Sequence, residues 1–166
     1  MTVKTLKFVF ALYAILAFLV STAQSKKEKS AIQNEAIKAA VDDRRFIFQA
    51  QSVSPTGSPI RQLTSTYYFT VLPDSIISVL PYFGRSYQPA MGSQDGGMKF
   101  TSLKFDYTAK DRKKGGWDIK IKTEDVKGAP QAFLTISASG TTSLRITSND
   151  RQSIQYNGVI EEIKKK

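Results

Sequence analysis

From Phe46 to Ile163 the chain is patterned mostly with a period of two. That period restricts it to strands, because successive side chains on a strand point to opposite faces. Phe46, Phe48 and Ala50 fall on one face, with Ile47, Gln49 and Gln51 on the other. Pro55-Thr56-Gly57-Ser58-Pro59 is a loop by composition. Tyr67 to Leu72 is β-branched and aromatic, as strands prefer. Pro73-Asp74 then turns the chain, and Ser75 to Leu80 is another short strand. Ser86 to Gly97 is a loop.

Met98 to Thr108 reads as one long strand with a defect. Met98 and Phe100 share one parity, while Leu103, Phe105 and Tyr107 share the other. Either both faces are covered or a bulge near Thr101-Ser102 resets the phase. Lys110 to Gly116 is a basic loop, and Trp117, Ile119 and Ile121 alternate after it. Matching apolar partners sets Tyr107 opposite Trp117, Phe105 opposite Ile119 and Leu103 opposite Ile121. All six are then expected on one buried face, with Arg112-Lys113-Lys114 at the hairpin tip. Glu124 to Pro130 is a loop. A second hairpin joins Phe133–Ala138 to Thr142–Thr147 through Ser139-Gly140-Thr141, setting Ile136 opposite Leu144 and Leu134 opposite Ile146. Ser148-Asn149-Asp150 turns again. Asn157-Gly158 is a strong hairpin signal between Ser153–Tyr156 and Val159–Ile163.

Ahead of the strands, Gln24 to Asp43 has helical spacing, with the folded helix at about residues 30–43. Ile32, Ala36, Ala39, Ala40 and Val41 form its apolar stripe, and Ser30 with Gln33 resembles a capping box. Asp42-Asp43-Arg44-Arg45 ends it as a solvated terminus. The expected fold is α+β and mainly antiparallel β: one N-terminal helix, then about eight strands in a curved or two-layer meander over about 45–163. There is no internal repeat.

Residues 1–23 have the layout of a secretory signal peptide. Lys4 and Lys7 form a basic start, Phe8 to Val20 is apolar throughout, and Ser21-Thr22-Ala23 offers small residues for cleavage after Ala23. Thirteen apolar residues make about 20 Å of helix, short of the roughly 30 Å hydrocarbon core that an anchor must cross. The expected product is a single exported domain, 24–166, in the periplasm or outside the cell, with no transmembrane anchor after cleavage. The chain has no cysteine, which excludes disulfides, thiolate chemistry and a lipoprotein anchor. Loss of Lys4 and Lys7 lowers the net charge from +10 to +8. That charge admits weak contact with an anionic surface; nucleic acid is a poor partner for an exported protein.

There is no histidine, which removes the usual general base and the commonest zinc ligand. Phosphate-loop, dinucleotide and nucleophile-elbow patterns are missing too. Asp95-Gly96-Gly97 lacks the alternating acids and terminal glutamate of a calcium loop. No metal or cofactor is implied. The adjacent acids Asp42-Asp43, Glu124-Asp125 and Glu161-Glu162 assemble no site by adjacency, since neighbours on a strand point apart.

The least generic run is Leu80-Pro81-Tyr82-Phe83-Gly84-Arg85-Ser86-Tyr87. Pro81 denies the sheet a donor and pushes Leu80 to an extended conformation, so a strand leaves its sheet here. Gly84 permits a positive φ or a close approach. Tyr82, Phe83, Arg85 and Tyr87 are the candidate binding residues, with Arg85 free to stack on Tyr82 or Tyr87 or to hold a carboxylate. The alternative is a corner that plugs the core, with Arg85 tying loop carbonyls.

This run resembles the hallmark of a Bacteroidota family of small exported proteins catalogued as a domain of unknown function. The strand Phe46-x-Phe48-x-Ala50, Tyr67-Tyr68-Phe69, Gly115-Gly116-Trp117-x-Ile119, the Ser139-Gly140 turn and the Asn149 to Gly158 ending are similar as well. The resemblance spans about Ser30 to Ile163. It implies an exported single domain and carries no activity or catalytic residues. The leading expectation is a non-catalytic envelope module that binds a ligand or protein. A secreted inhibitor or assembly factor acting through a sheet face or loop is the alternative, followed by a carboxylate-dependent hydrolase with two acids about 5–9 Å apart.

Overall fold

A computed structural model of the protein describes residues 31–87, 97–113 and 115–164. The expected signal peptide, the Ser30 cap and most of the loop before Gly97 lie outside the described residues. Among the described residues a helix, α1 (residues 31–42), precedes nine strands. These are β1 (Phe46–Pro55), β2 (Arg61–Val71), β3 (Ile76–Leu80), β4 (Met98–Ser102), β5 (Phe105–Asp111), β6 (Trp117–Thr123), β7 (Gln131–Ile136), β8 (Thr141–Thr147) and β9 (Ile154–Glu162). Every pairing is antiparallel, in the order β4-β3-β2-β1-β9-β8-β7-β6-β5. The fold is thus mainly antiparallel β with an N-terminal helix. Among the described residues no helix is long and apolar enough to cross a membrane.

The first and last strands pair in the middle of the sheet, so its free edges are β4 and β5, which follow one another in sequence. The sheet is nearly closed, and its seam is pinned by a side chain. The Asp125 carboxylate accepts the Ser102 hydroxyl and the N–H groups of Leu103 (2.7 Å) and Lys104 (3.1 Å). The Glu124 N–H donates to the Lys104 carbonyl at 2.9 Å. The Ser102 hydroxyl and then the Leu103 N–H hold the Asp125 carboxyl below the usual carboxylate range. A depressed folded pKa contributes stability that is present above the unfolded value, about 3.9, and lost as pH falls through the folded one. Asp125→Asn is therefore expected to lower the urea midpoint at neutral pH and to flatten its decline as pH falls below about 4. Parallel pH curves for variant and wild type would show that the seam does not depend on this charge.

The interior is filled by the buried parity of each strand. Phe46, Phe48, Phe69, Ile76, Leu80, Ile121, Leu134, Ile136, Leu144, Ile146, Ile154 and Tyr156 are all fully buried. The alternation of β1 changes phase at a bulge between Ala50 and Ser52, after which Val53 and Pro55 point inward. The strand therefore runs on through Pro55.

Several expected registers are corrected. Trp117 pairs with Asp111, Ile119 with Ala109 and Ile121 with Tyr107. The strands continue to a tight turn in which Gly115 and Gly116 take φ of 82° and 90°, and Arg112 N–H donates to the Gly116 carbonyl. Turn geometry outweighed apolar matching, which was permissible because β5 is an edge strand. Leu103 is exposed, since it sits at the corner between β4 and β5. The same corner, Leu103-Lys104, resets the parity two residues beyond the Thr101-Ser102 bulge expected from sequence. In the next hairpin Leu134 faces Leu144 and Ile136 faces Thr142. Gly140, at φ 84°, takes the last loop position, with Ser137 N–H donating to the Thr141 carbonyl. Asn157-Gly158 makes no turn at all; β9 is continuous and paired on both sides.

The apolar stripe of α1 is also narrower than expected. Ile37, Ala40 and Val41 are buried, whereas Ile32 and Ala39 are exposed. Ile37 meets the β7–β8 turn at Gly140, and Gln33 Nε2 donates to the Ser139 carbonyl at 2.8 Å. At the other end Tyr107 donates its hydroxyl to the Val41 carbonyl (3.1 Å), and the Arg44 guanidinium lies over the Tyr107 ring at 4.9 Å. Arg44 takes φ 53° at the helix end, with Arg45 N–H bonded to the Ala40 carbonyl and Arg44 N–H to that of Val41. That is a Schellman stop built without glycine. Burying Ile37 stabilises by about 1.5–3 kcal/mol, so packing rather than the exposed Lys38–Asp42 pair holds the helix down.

Candidate functional site

At the end of the sheet away from α1, β3 stops at Leu80 and the chain crosses over the interior. Pro81 has no N–H to continue a ladder. Its carbonyl instead accepts the hydroxyl of Tyr156, a fully buried β9 residue, at 2.6 Å. Burial raises the Tyr156 phenol well above its ordinary pKa, so it stays a donor. The strap then pairs with the β8–β9 loop. Gln152 N–H donates to the Arg85 carbonyl (3.0 Å), Tyr87 N–H to the Asp150 carbonyl (2.8 Å), and Ser86 bridges Arg151.

Tyr82 turns back beneath the strap. Its hydroxyl is shared between the carbonyls of Arg85 (2.8 Å) and Gln152 (2.9 Å). Gly84 makes this possible: a Cβ there would stand 2.5 Å from the Tyr82 oxygen. Close approach, and not a positive φ, is the reason for glycine.

The arginine stacked on Tyr82 is Arg151, at 5.1 Å; Arg85 does not take that place. Arg151 also donates to the Gly97 carbonyl (3.3 Å) and the Met98 sulfur (3.5 Å), and pairs with Asp150 at 3.4 Å. Burial works against ionisation of Asp150, but the Ser148 hydroxyl and Arg151 outweigh it and hold the carboxyl below its usual range. Arg85 contributes its carbonyl to the strap and leaves its side chain exposed.

The four candidates therefore divide. Tyr82 is half-buried and structural, while Phe83, Arg85 and Tyr87 are exposed, at 42% for Phe83 and 68% for Tyr87. Phe83 and Arg85 line an open cleft of about 390 Å³ whose facing wall is the β1–β2 loop, Thr56-Gly57-Ser58. Gln152 also lines it, and the Arg61 guanidinium lies over the Phe83 ring at 5.1 Å. Tyr87 does not line this cleft. Residues 55–59 were legible as a loop by composition but not as a wall of this cleft, and nothing local marks Arg61 or Arg151. All of them meet the strap only through pairings distant in sequence.

On the other side of the same loop a second groove, about 630 Å³, is lined by Thr56, Gly57 and Ser58 again, together with Arg145, Ser153 and Gln155. Neither cleft is lined by a carboxylate. Among the described residues, no cluster of His, Cys, Asp or Glu is placed to hold a metal ion.

Residues 28–160, from before α1 into β9, match the family DUF4251, a domain of unknown function. The chain belongs to that family. A crystal structure of a DUF4251 family protein from Bacteroides eggerthii DSM 20697 is similar in fold, with a TM-score of 0.59 at 16% sequence identity. The match covers 80% of this chain and 89% of that one. No curated protein matches the chain. What DUF4251 membership establishes here is the fold; the strap, the β1–β2 loop and their arginines have to be read from this chain's own geometry.

Proposed function

We propose that the protein is a non-catalytic binding module of the cell envelope, exported with cleavage after Ala23, and that the cleft between the strap and the β1–β2 loop is its ligand site. One observation carries this reading: Phe83 and Arg85 stay exposed on a strap whose backbone is tied down, and both face a cleft. An aromatic face, a guanidinium and hydroxyls on a fixed frame suit recognition, because little ordering entropy remains to be lost on binding. The strap is fixed by Tyr156 below and by the β8–β9 loop beside it. Export is supported by the basic start, apolar run and small residues of positions 1–23. A carboxylate-dependent hydrolase finds no acid pair in either cleft wall.

The test is native mass spectrometry of the protein purified gently from the envelope of its own host. The polypeptide mass is expected to begin at Gln24, with a reproducible added mass from a bound molecule. Phe83→Ala with Arg85→Ala is expected to abolish the added mass while leaving Tm within a few degrees, since both side chains are exposed. A bare polypeptide of the same mass in wild type and variant sinks the tight-binding reading. An N-terminus at Met1 sinks the export reading separately.

A further inference from the structure

The cleft and the second groove are two sides of one ridge, since Thr56, Gly57 and Ser58 line both. Gly57 stands at φ 76° with nothing within 4 Å of where a Cβ would be, so the ridge is bare there and a ligand can cross it closely. Arginines stand on either side. Arg85 lines the cleft, with Arg61 over Phe83; Arg145 lines the groove, with its guanidinium over the Phe133 ring at 5.3 Å. Among the described residues none of these three takes part in an ion pair, whereas Arg112 and Arg151 both do. Arg61 and Arg145 are held against aromatic faces, and for Arg145 this fixes a planar fork at little entropic cost to a ligand.

A guanidinium fork matches a planar carboxylate with two parallel hydrogen bonds. The surfaces between the forks are rich in hydroxyls and amides: Ser54, Thr56, Ser58, Gln152, Ser153 and Gln155. Such walls suit the hydroxyls of a sugar. An acidic peptide would pair with the same arginines, but its acidic side chains bring no hydroxyls to the polar walls between them. A nucleic acid would look for a row of open aromatic faces, and among the described residues Phe83 is the one aromatic lining the two walls.

We propose that the ridge is a binding track for a linear carboxylate-bearing polysaccharide, a polyuronate, laid over Gly57 with one carboxylate at Arg85 and another at Arg145. This rests on the cleft being a binding site and extends it to a surface and a ligand class.

The test is calorimetric titration of the processed protein with hexagalacturonate at about 0.1 M salt, where long-range attraction is already screened. Saturable binding is expected. Arg145→Ala and Arg85→Ala should each weaken it about tenfold, and Arg145→Lys should restore only part of the loss, because the charge returns without the fork. A neutral hexasaccharide should bind at least tenfold more weakly. If Arg85→Ala weakens binding and Arg145→Ala does not, the track is wrong and the cleft survives. If Arg145→Ala alone matters, the cleft reading fails and the track with it. Absence of binding at millimolar hexagalacturonate overturns the track. So does binding of hexaglutamate or a deoxythymidine oligonucleotide as tight as that of the uronate; either would reassign the ridge to an acidic peptide or to nucleic acid.

Discussion

Gly158→Ala is expected to destabilise the protein by at least about 3 kcal/mol and to lower Tm by about 10 °C. Gly158 sits mid-strand in β9, paired with Ala50 of β1 on one side and Thr142 of β8 on the other. A Cβ at this position would lie 1.9 Å from the Gln49 carbonyl oxygen and 2.9 Å from its carbon. Both are backbone atoms, so no rotamer change relieves the clash. The β1 bulge beside it leaves no slack, because β1 and β9 are the paired strands through which the two halves of the sheet join. The control is Gly57→Ala. Gly57 has a positive φ but open space, so only the left-handed penalty of about 1–2 kcal/mol applies. Differential scanning calorimetry of the two variants separates steric exclusion from backbone preference. Equal Tm losses would mean that β1 and β9 do not approach as closely as this.

The second large effect concerns Tyr156, which joins the core to the site. Tyr156→Ala removes a fully buried ring and is expected to cost about 3–5 kcal/mol. Tyr156→Phe keeps the ring and leaves the Pro81 carbonyl without its donor, for about 1–3 kcal/mol. The phenylalanine variant is the more informative of the two. It is expected to keep the sheet and loosen the strap, so amide exchange should quicken at Tyr87 and Gln152, whose N–H groups hold the strap to the β8–β9 loop. Exchange at Ile136 or Leu144, deep in the sheet, should change only by the global loss. Unchanged stability and unchanged exchange at Tyr87 would show that the hydroxyl does not anchor the strap.

The inward parity of most strands was legible because it depends only on local alternation. Phe46, Phe48 and Ala50, then Trp117, Ile119 and Ile121, and then Leu134 and Ile136 all point where their spacing says. Register was less legible. Apolar matching placed Tyr107 opposite Trp117, but the glycine turn moved the pairing by an even number of residues, which kept the faces of Phe105, Tyr107, Trp117, Ile119 and Ile121, changed every partner and left Leu103 outside the strand and exposed. Asn157-Gly158 misled because a hairpin signal is local, whereas Gly158 serves a contact with a strand more than a hundred residues away in sequence. In α1 the spacing found Ala40 and Val41, missed Ile37 and overextended to Ile32, because the sheet end covers only part of the helix face.

At the candidate site, Pro81 by itself marked the point where a strand leaves the sheet; Gly84 signalled a positive φ or a close approach, and only the fold of Tyr82 back beneath the strap decided for the second. The chemistry of Phe83 and Arg85 was visible as residue types. Which arginine stacks on Tyr82 was not, since Arg151 arrives from the β8–β9 loop. The residues themselves determined that the chain makes strands after one helix, that cysteine and histidine chemistry is unavailable, and where the sheet is interrupted. Tertiary structure decided that β1 pairs with β9, that the seam falls between β4 and β5, and that the β1–β2 loop stands between two clefts. The division has one physical cause. Alternation, proline and glycine act through covalent neighbours, while closure, stacking and clefts arise from contacts that no short window of sequence contains.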